Sequence, residues 1–287
     1  MRYIIQKLRD CHSTFPPLLS GILIILHVLS WPPPELSAQA VMGARELALG
    51  QAATALPNSP WSVFANPAMI SPEKTTVSFF GVRYFGLAEI TDIAASAVYP
   101  TAKGVIAAGV HRYGYDLFSE SRLRAGYKNS TAGFHYGAIL NYSHIAQGGG
   151  YGSAGAVGLD IGLAAPILPE LWIAAKAMNI NQPAYGSRND EELPRNLSVG
   201  FSYRLSGLAL FSAEVLKDVR FPAAFRAGTE VNIIEGLKGR VGVTTAPQTF
   251  SAGFGYHTAL WSANVAVQRH EHRVLGYSPA VDFRVSW

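Results

Sequence analysis

The side chains of this chain that could do chemistry are charges set at alternate positions along short apolar runs. Arg122 and Arg124, Asp160, Arg204, Glu214, Arg226 and Glu230, Lys238 and Arg240, and Asp282 and Arg284 all fall on the polar side of their runs. Residues two apart in an extended chain share a face, so these groups line one surface. That surface could be a selectivity lining, a socket for a plug, or the hydration any polar lumen requires. Other candidates are poorer. His270 and His272 flank Glu271 and could share a metal, but no third ligand accompanies them. Ser143 and His144, near Asn141, are sequence neighbours whose side chains leave an extended chain on opposite faces, so they do not make a nucleophile–base pair. The run Gln147–Gly152 has no following Lys-Ser/Thr and opens no helix, so it reads as a surface loop rather than a phosphate cradle. With no G-x-S-x-G and no metal signature, neither an enzyme nor a cofactor is expected.

Such a charge pattern requires strands. The last residues show it best: Tyr277, Pro279, Val281, Phe283, Val285 and Trp287 alternate with Ser278, Ala280, Asp282, Arg284 and Ser286. An apolar face, a polar face and a terminal aromatic describe the closing strand of an outer-membrane barrel. Fourteen such runs are expected, near 75–85, 89–99, 102–113, 120–128, 132–145, 154–165, 170–180, 195–205, 207–217, 223–233, 237–245, 249–257, 260–269 and 276–287. Their lengths suit tilted spans, and the even count suits a single-chain barrel. The connections alternate in length. Ser206-Gly207, Glu235-Gly236 and Thr258-Ala259 are short, whereas Ala146–Gly152, Asn181–Pro194 and His270–Gly276 are longer. Short periplasmic and long external turns are the habit of these barrels. The fold class is therefore all-β: a transmembrane antiparallel β-barrel of about fourteen strands, to which the family resemblance given below adds a small N-terminal hatch in the lumen.

Residues 1–40 read as a secretory leader, with basic Arg2, Lys7 and Arg9, an apolar run Leu18–Trp31, and an A-x-A site ending at Ala40. Cys11 lies inside it, so the mature chain has no cysteine. Removing Arg2, Lys7, Arg9, Asp10 and Glu35 leaves 20 basic and 17 acidic residues. The surplus is small and dispersed, which excludes nucleic acid as a partner. The 49% hydrophobic content is spread by alternation, as in chains that enter a membrane without spanning helices.

Residues 41–72 differ from the rest. Gly43-Ala44-Arg45 and Leu49-Gly50 open a stretch of small residues that runs through Pro57–Pro60 to Trp61–Ala68. On these residues the chain resembles the PorV/PorQ family of outer-membrane barrels, related to the FadL-type fatty-acid transporters. The resemblance implies a lumenal hatch at 41–72, with Trp61, Phe64, Asn66 and Pro67 as its motif, inside a barrel at 73–287. It implies a bacterial outer-membrane location and a role in type IX protein secretion or surface attachment, with secretion proteins or exported cargo as partners beside the membrane lipid. The FadL side of the superfamily implies an alternative: passive transport of small hydrophobic compounds.

Overall fold

The computed structural model describes residues 41–71, 73–149, 152–186 and 191–287. The expected leader, with Cys11 and its cleavage site, lies outside these residues, as does Pro72 at the expected end of the hatch. Strands run over β1 Thr76–Arg83, β2 Thr91–Thr101, β3 Gly104–Tyr115, β4 Phe118–Thr131, β5 Phe134–Gln147, β6 Gly152–Leu168 and β7 Leu171–Ala177. A two-residue pair, β8 Ala184–Tyr185 and β9 Glu191–Glu192, follows. The chain continues through β10 Asn196–Leu205, β11 Ala209–Asp218, β12 Ala224–Ile234, β13 Leu237–Thr245, β14 Gln248–His257, β15 Trp261–His270 and β16 Tyr277–Ser286. All except β8 and β9 form one closed antiparallel barrel of fourteen strands. Each expected run has its strand, and the small β8–β9 pair was not anticipated.

Closure is made by the two ends of the barrel sequence. β1 and β16 pair in register from Thr76↔Ser286 to Val82↔Ala280. The Thr76 and Ser286 hydroxyls meet at 3.1 Å, and the Trp287 amide donates to the Thr75 carbonyl at 3.0 Å. The seam thus pairs β1 with β16 directly, so the barrel has no free edge there.

The alternation read from the sequence sets the two faces. Leu197, Val199, Phe201, Val241, Phe250, Phe254, Val281 and Phe283 project outward and are exposed, while Ser198, Ser202, Arg240, Ser251 and Asp282 project inward and are buried. An exposed apolar belt around a closed barrel is costly in water and stable in hydrocarbon. The interior is not uniformly polar. Phe80 and Val82 on β1, Ala94 and Val98 on β2, Val105 and Ala107 on β3 and Ile139 on β5 form an apolar inner wall. Of the buried carboxylates and guanidiniums, Glu214, Arg226, Glu230, Arg240 and Asp282 lie on β11 to β16, while Asp92, Arg124 and Asp160 lie on β2, β4 and β6. The N-terminal segment thus meets an apolar patch on β1 to β5 and charged groups around the rest of the wall.

One strand is shorter than its sequence suggests. The run expected to 180 stops at Ala177, and Asn179 and Gln182 both take positive φ, 52° and 50°. Left-handed backbone at non-glycine residues turns the chain out of the strand direction, and Asn tolerates it best. β6 therefore pairs with β7 only from Ile161 to Leu168, and among the described residues its Gly152–Asp160 half has no paired strand on that side.

Candidate functional site in the lumen

The segment from Val41 to Ile70 packs inside the barrel, in contact with β1 to β6 and with β10 to β16. It contains one short α-helix, α1 Ala44–Ala48, and two 3₁₀ turns, Pro60–Val63 and Pro67–Met69. The two turns use one device: a capping residue followed by proline at the first helical position. Ser59 accepts from the Trp61 amide and Asn66 from the Ala68 amide, each at 3.0 Å. Proline has no amide to leave unsatisfied there, and its fixed φ suits the turn. The Asn66 amide group also donates to the Thr54 carbonyl at 2.8 Å and to the Ala175 carbonyl of the wall at 3.3 Å. Of the expected hatch motif, Asn66 and Pro67 thus fix the turn. Trp61 packs edge-on to Phe80 at 5.7 Å and beside Phe64 at 6.2 Å, against the apolar inner wall.

The charged side grips the backbone of the segment. Asp282 accepts from the Ala44 amide at 2.7 Å and the Arg45 amide at 3.3 Å. Glu214 does the same for Ala53 and Thr54, at 2.9 and 2.8 Å. Hydroxyls of Ser202, Ser212 and Thr244 donate to the carbonyls of Ala55, Ala52 and Gly50 at 2.8, 2.6 and 2.6 Å. Arg45 is clamped by Glu230, Nε to Oε2 at 2.7 Å, and Lys238 and Arg240 bind the same carboxylate at 3.0 and 2.7 Å. Charge-assisted bonds to buried backbone amides are the strong kind. The grip spans α1 and the loop after it.

Glycine makes room where the segment touches the wall most closely. A β-carbon on Gly228 would lie 2.5 Å from the Leu49 carbonyl oxygen, and one on Gly242 would lie 2.0 Å from the Gly50 nitrogen. Gly109 faces Phe64, Gly137 faces Pro67 and Gly162 faces Asn66 at comparable distances. These glycines have ordinary strand backbone, so their function here is space rather than conformational freedom.

On the far side of the segment, Arg124 connects it to the interrupted wall. Its Nη1 donates to the Val63 carbonyl at 2.8 Å, its Nη2 binds Asp160 at 2.6 Å, and its guanidinium lies 5.5 Å from the Phe64 ring centre. The other oxygen of Asp160 accepts from Asn141 at 3.0 Å and from the Asn179 amide at 2.9 Å. Asn179 donates onward to the Pro194 carbonyl at 2.7 Å. Beyond it, the Asn181 side chain accepts from the Leu159 amide and donates to the Val157 carbonyl, both at 2.9 Å, so that one side chain occupies part of the open β6 edge.

Of the charges expected inside, Arg124, Asp160, Glu214, Arg226, Glu230, Arg240 and Asp282 are buried in the lumen, and Arg122, Lys238 and Arg284 are half-buried there. Arg204 is exposed near the short-turn end, where it helps line a chamber of about 470 Å³ beneath the hatch, with Arg284, Lys238 and Arg45. Sequence reasoning missed Asp92 paired with His111, together with Lys128 and Lys176, all inward and buried. These residues sit in strands that mix small and apolar residues on both faces, which blurs the alternation. It also missed Arg45 and Glu46, because α1 follows no strand period. His270 Nε2 bonds the Ser278 hydroxyl at 2.7 Å. No cluster of metal-type ligands occurs among the described residues.

Glu46 is fully buried; its Oε1 accepts from the Ser59 hydroxyl, while Oε2 has no partner. Burial pushes this carboxyl up to about 7, against the opposing pull of Arg45. The docked segment thus holds a proton that a released carboxylate gives up near its ordinary value of 4.5. The stabilisation from this proton is present below that value and is lost as pH rises through about 7. Exchange of the α1 amides, corrected for its intrinsic pH dependence, is expected to accelerate across that window. In Glu46→Gln the acceleration should vanish; an unchanged profile in this variant would place the titration elsewhere.

No protein-family model matches the chain, and no curated protein does. Solved structures do. The CymD monoaromatic hydrocarbon channel superposes with a TM-score of 0.66 at 11% identity, over 88% of this chain and 99% of that one. The Ralstonia pickettii toluene transporter TbuX gives 0.65 at 13%, over 87% and 99%. A Pseudomonas aeruginosa FadL homologue gives 0.59 at 10%, over 88% and 98%. At such identities the likeness is one of fold: the chain shares the barrel architecture of these channels.

Proposed function

We propose that this chain is a passive outer-membrane channel for small apolar solutes, monoaromatic hydrocarbons among them. The observation that carries the reading is the interrupted wall. The N-terminal segment packs inside the barrel, while among the described residues β6 has no paired strand on the β7 side from Gly152 to Asp160, beside the Asn179 elbow. A solute that cannot pass straight through then has a sideways route into the hydrocarbon of the membrane. Such a route suits apolar molecules, which partition there without cost, and excludes polar ones. The architecture shared with the hydrocarbon channels supports the same substrate class. Transport therefore stands ahead of the secretion role implied by the PorV/PorQ resemblance, whose specific motif covers only the stretch from Val41 to Ala68.

The test is toluene influx into cells with and without the chain. Influx several-fold above background is the expected result. Background influx together with loss of surface-exposed exported proteins on deletion of the gene would overturn transport in favour of the secretion reading.

A further inference from the structure

The outward face of the barrel has a charge pattern of its own. Among the described residues, the charged side chains on that face of the barrel strands are Arg83 on β1, Arg112 on β3, Lys217 on β11 and Arg269 on β15, all exposed and all cationic. They stand at one level. Arg83 is seven residues beyond Thr76, and Arg112, Lys217 and Arg269 are each eight beyond Gly104, Ala209 and Trp261, the short-turn ends of their strands. A rise of ~3.3 Å per residue and a tilt of ~40° put that level about 20 Å above the short turns, near the outer edge of an apolar band ~25 Å tall. No carboxylate shares this face of the strands. The cost of entering lipid does not explain the bias, because Asp and Glu cost less there than Arg and Lys. The sign of the belt calls for a negative partner outside the chain. Lys217 already donates to the Phe221 carbonyl. The three arginines join no ion pair among the described residues, and Glu89 and Glu271 lie beyond the strand ends.

We infer that Arg83, Arg112 and Arg269 form a docking face for an outer-leaflet lipid whose headgroup carries two phosphates. The three occupy alternate strands of one arc, β15, β1 and β3, with β16 and β2 between them. Arg269 stands opposite Tyr277 of β16, Arg83 opposite Thr91 of β2, and Arg112 opposite Ile93 of β2. Strands lie about 4.8 Å apart, so consecutive arginines are separated by about 10 Å across the sheet. Their long stems let neighbouring guanidiniums converge, which makes two phosphate positions, one over β16 and one over β2. A guanidinium binds phosphate through paired, charge-assisted hydrogen bonds. Below the arginines, Phe79, Val110, Val267 and Val281 are exposed on the same arc and offer apolar ground to acyl chains, which a free phosphate could not use. The short-turn end has no such face: Lys103, Glu170 and Glu235 are of mixed sign and sit in turns. The outward faces of β4 to β7, which include the interrupted β6 edge, carry no charge among the described residues. A lipid held on the β15–β3 arc therefore fixes the height of the barrel without covering that edge. The inference goes beyond the transport reading and does not depend on it.

Native mass spectrometry of the full mature protein in detergent decides it, with lipid A as the bisphosphorylated probe. Wild type is expected to retain lipid A and to bind its monophosphorylated form about tenfold more weakly, as loss of one charge-assisted contact predicts. Millimolar inorganic phosphate should leave the complex intact. Arg83→Gln, Arg112→Gln and Arg269→Gln together should abolish the preference for the second phosphate, whereas Lys217→Gln should keep it. Equal binding of the two lipid forms by wild type, or an undiminished preference in the triple variant, overturns the site. Displacement by inorganic phosphate overturns it in favour of a free-ion site. Should the triple variant fail to fold, the contrast between the two lipids in wild type decides alone. Toluene influx is read separately, so loss of the lipid site and failure of transport remain distinguishable.

Discussion

Replacing Gly242 by valine is expected to unseat the hatch and turn a silent barrel into a conducting one. Gly242 on β13 stands directly opposite Gly228 on β12. Together they form a notch in the inner wall, into which the Leu49–Gly50 backbone drops. A β-carbon at Gly242 would approach the Gly50 nitrogen at 2.0 Å and the Leu49 carbonyl carbon at 2.3 Å. Both are backbone atoms, so no side-chain rotation relieves the clash. Overpacking commonly costs about 1–3 kcal/mol, and a collision with main chain belongs at the upper end. The hydrogen bond from Thr244 to the Gly50 carbonyl, at 2.6 Å, would be lost in the same movement. The barrel itself should survive, because valine suits a strand. In planar bilayers, discrete conductance steps are expected for Gly242→Val and none for wild type, with tryptic cleavage at Arg45 appearing only in the variant. Gly81→Ala is the control, since its added carbon meets nothing closer than 3.9 Å. A silent, protease-resistant Gly242→Val would mean that the hatch is not seated by this notch.

That notch also shows how far the sequence could be read. Alternation identified all fourteen barrel strands, because a lipid-facing side chain has a single acceptable polarity and the period of two is enforced at every position. Inward positions carry a weaker signal. Behind the hatch the lumen accepts Phe80, Val82 and Ile139, since these side chains meet Trp61 and its neighbours rather than water. The same tolerance obscured Lys176 and His111, which sit in strands whose two faces look alike. The glycines at 109, 137, 162, 228 and 242 were visible as inward-facing residues of ordinary strands, but only the path of the hatch explains them. The elbow at Asn179 was illegible for a different reason. Nothing in the run from Leu171 to Ile180 marks a stop, and the turn is held by Asp160, nineteen residues away in sequence. The PorV/PorQ resemblance located the hatch, but its short motif also directed the functional reading toward secretion, whereas the interrupted wall favours transport.

The charge clamp on the hatch should respond unequally to removal of its two partners. Glu230→Gln is expected to loosen α1 far more than Arg45→Gln. Glu230 is the single carboxylate bound by Arg45, Lys238 and Arg240, and the Arg240 side chain is completely buried. Neutralising it leaves three cations facing one another without the carboxylate they all bind, and breaking a buried pair in this way costs about 3–5 kcal/mol. Arg45→Gln removes one cation of the three and leaves Glu230 still paired with Lys238 and Arg240. Its main losses are the 2.7 Å bond to Glu230 and the 3.1 Å bond that closes the hatch loop onto the Pro57 carbonyl. Adding Arg45→Gln to Glu230→Gln should then restore stability, because it removes repulsion that the first substitution created. The measurement is exchange protection of the amides from Ala44 to Gln51 in wild type, both single variants and the double variant. The expected order of protection is wild type, Arg45→Gln, the double variant, then Glu230→Gln. Simple additivity of the two losses would show that Arg45 and Glu230 do not act on each other, and the seat of the hatch would then rest on Asp282, Glu214 and the glycine notch.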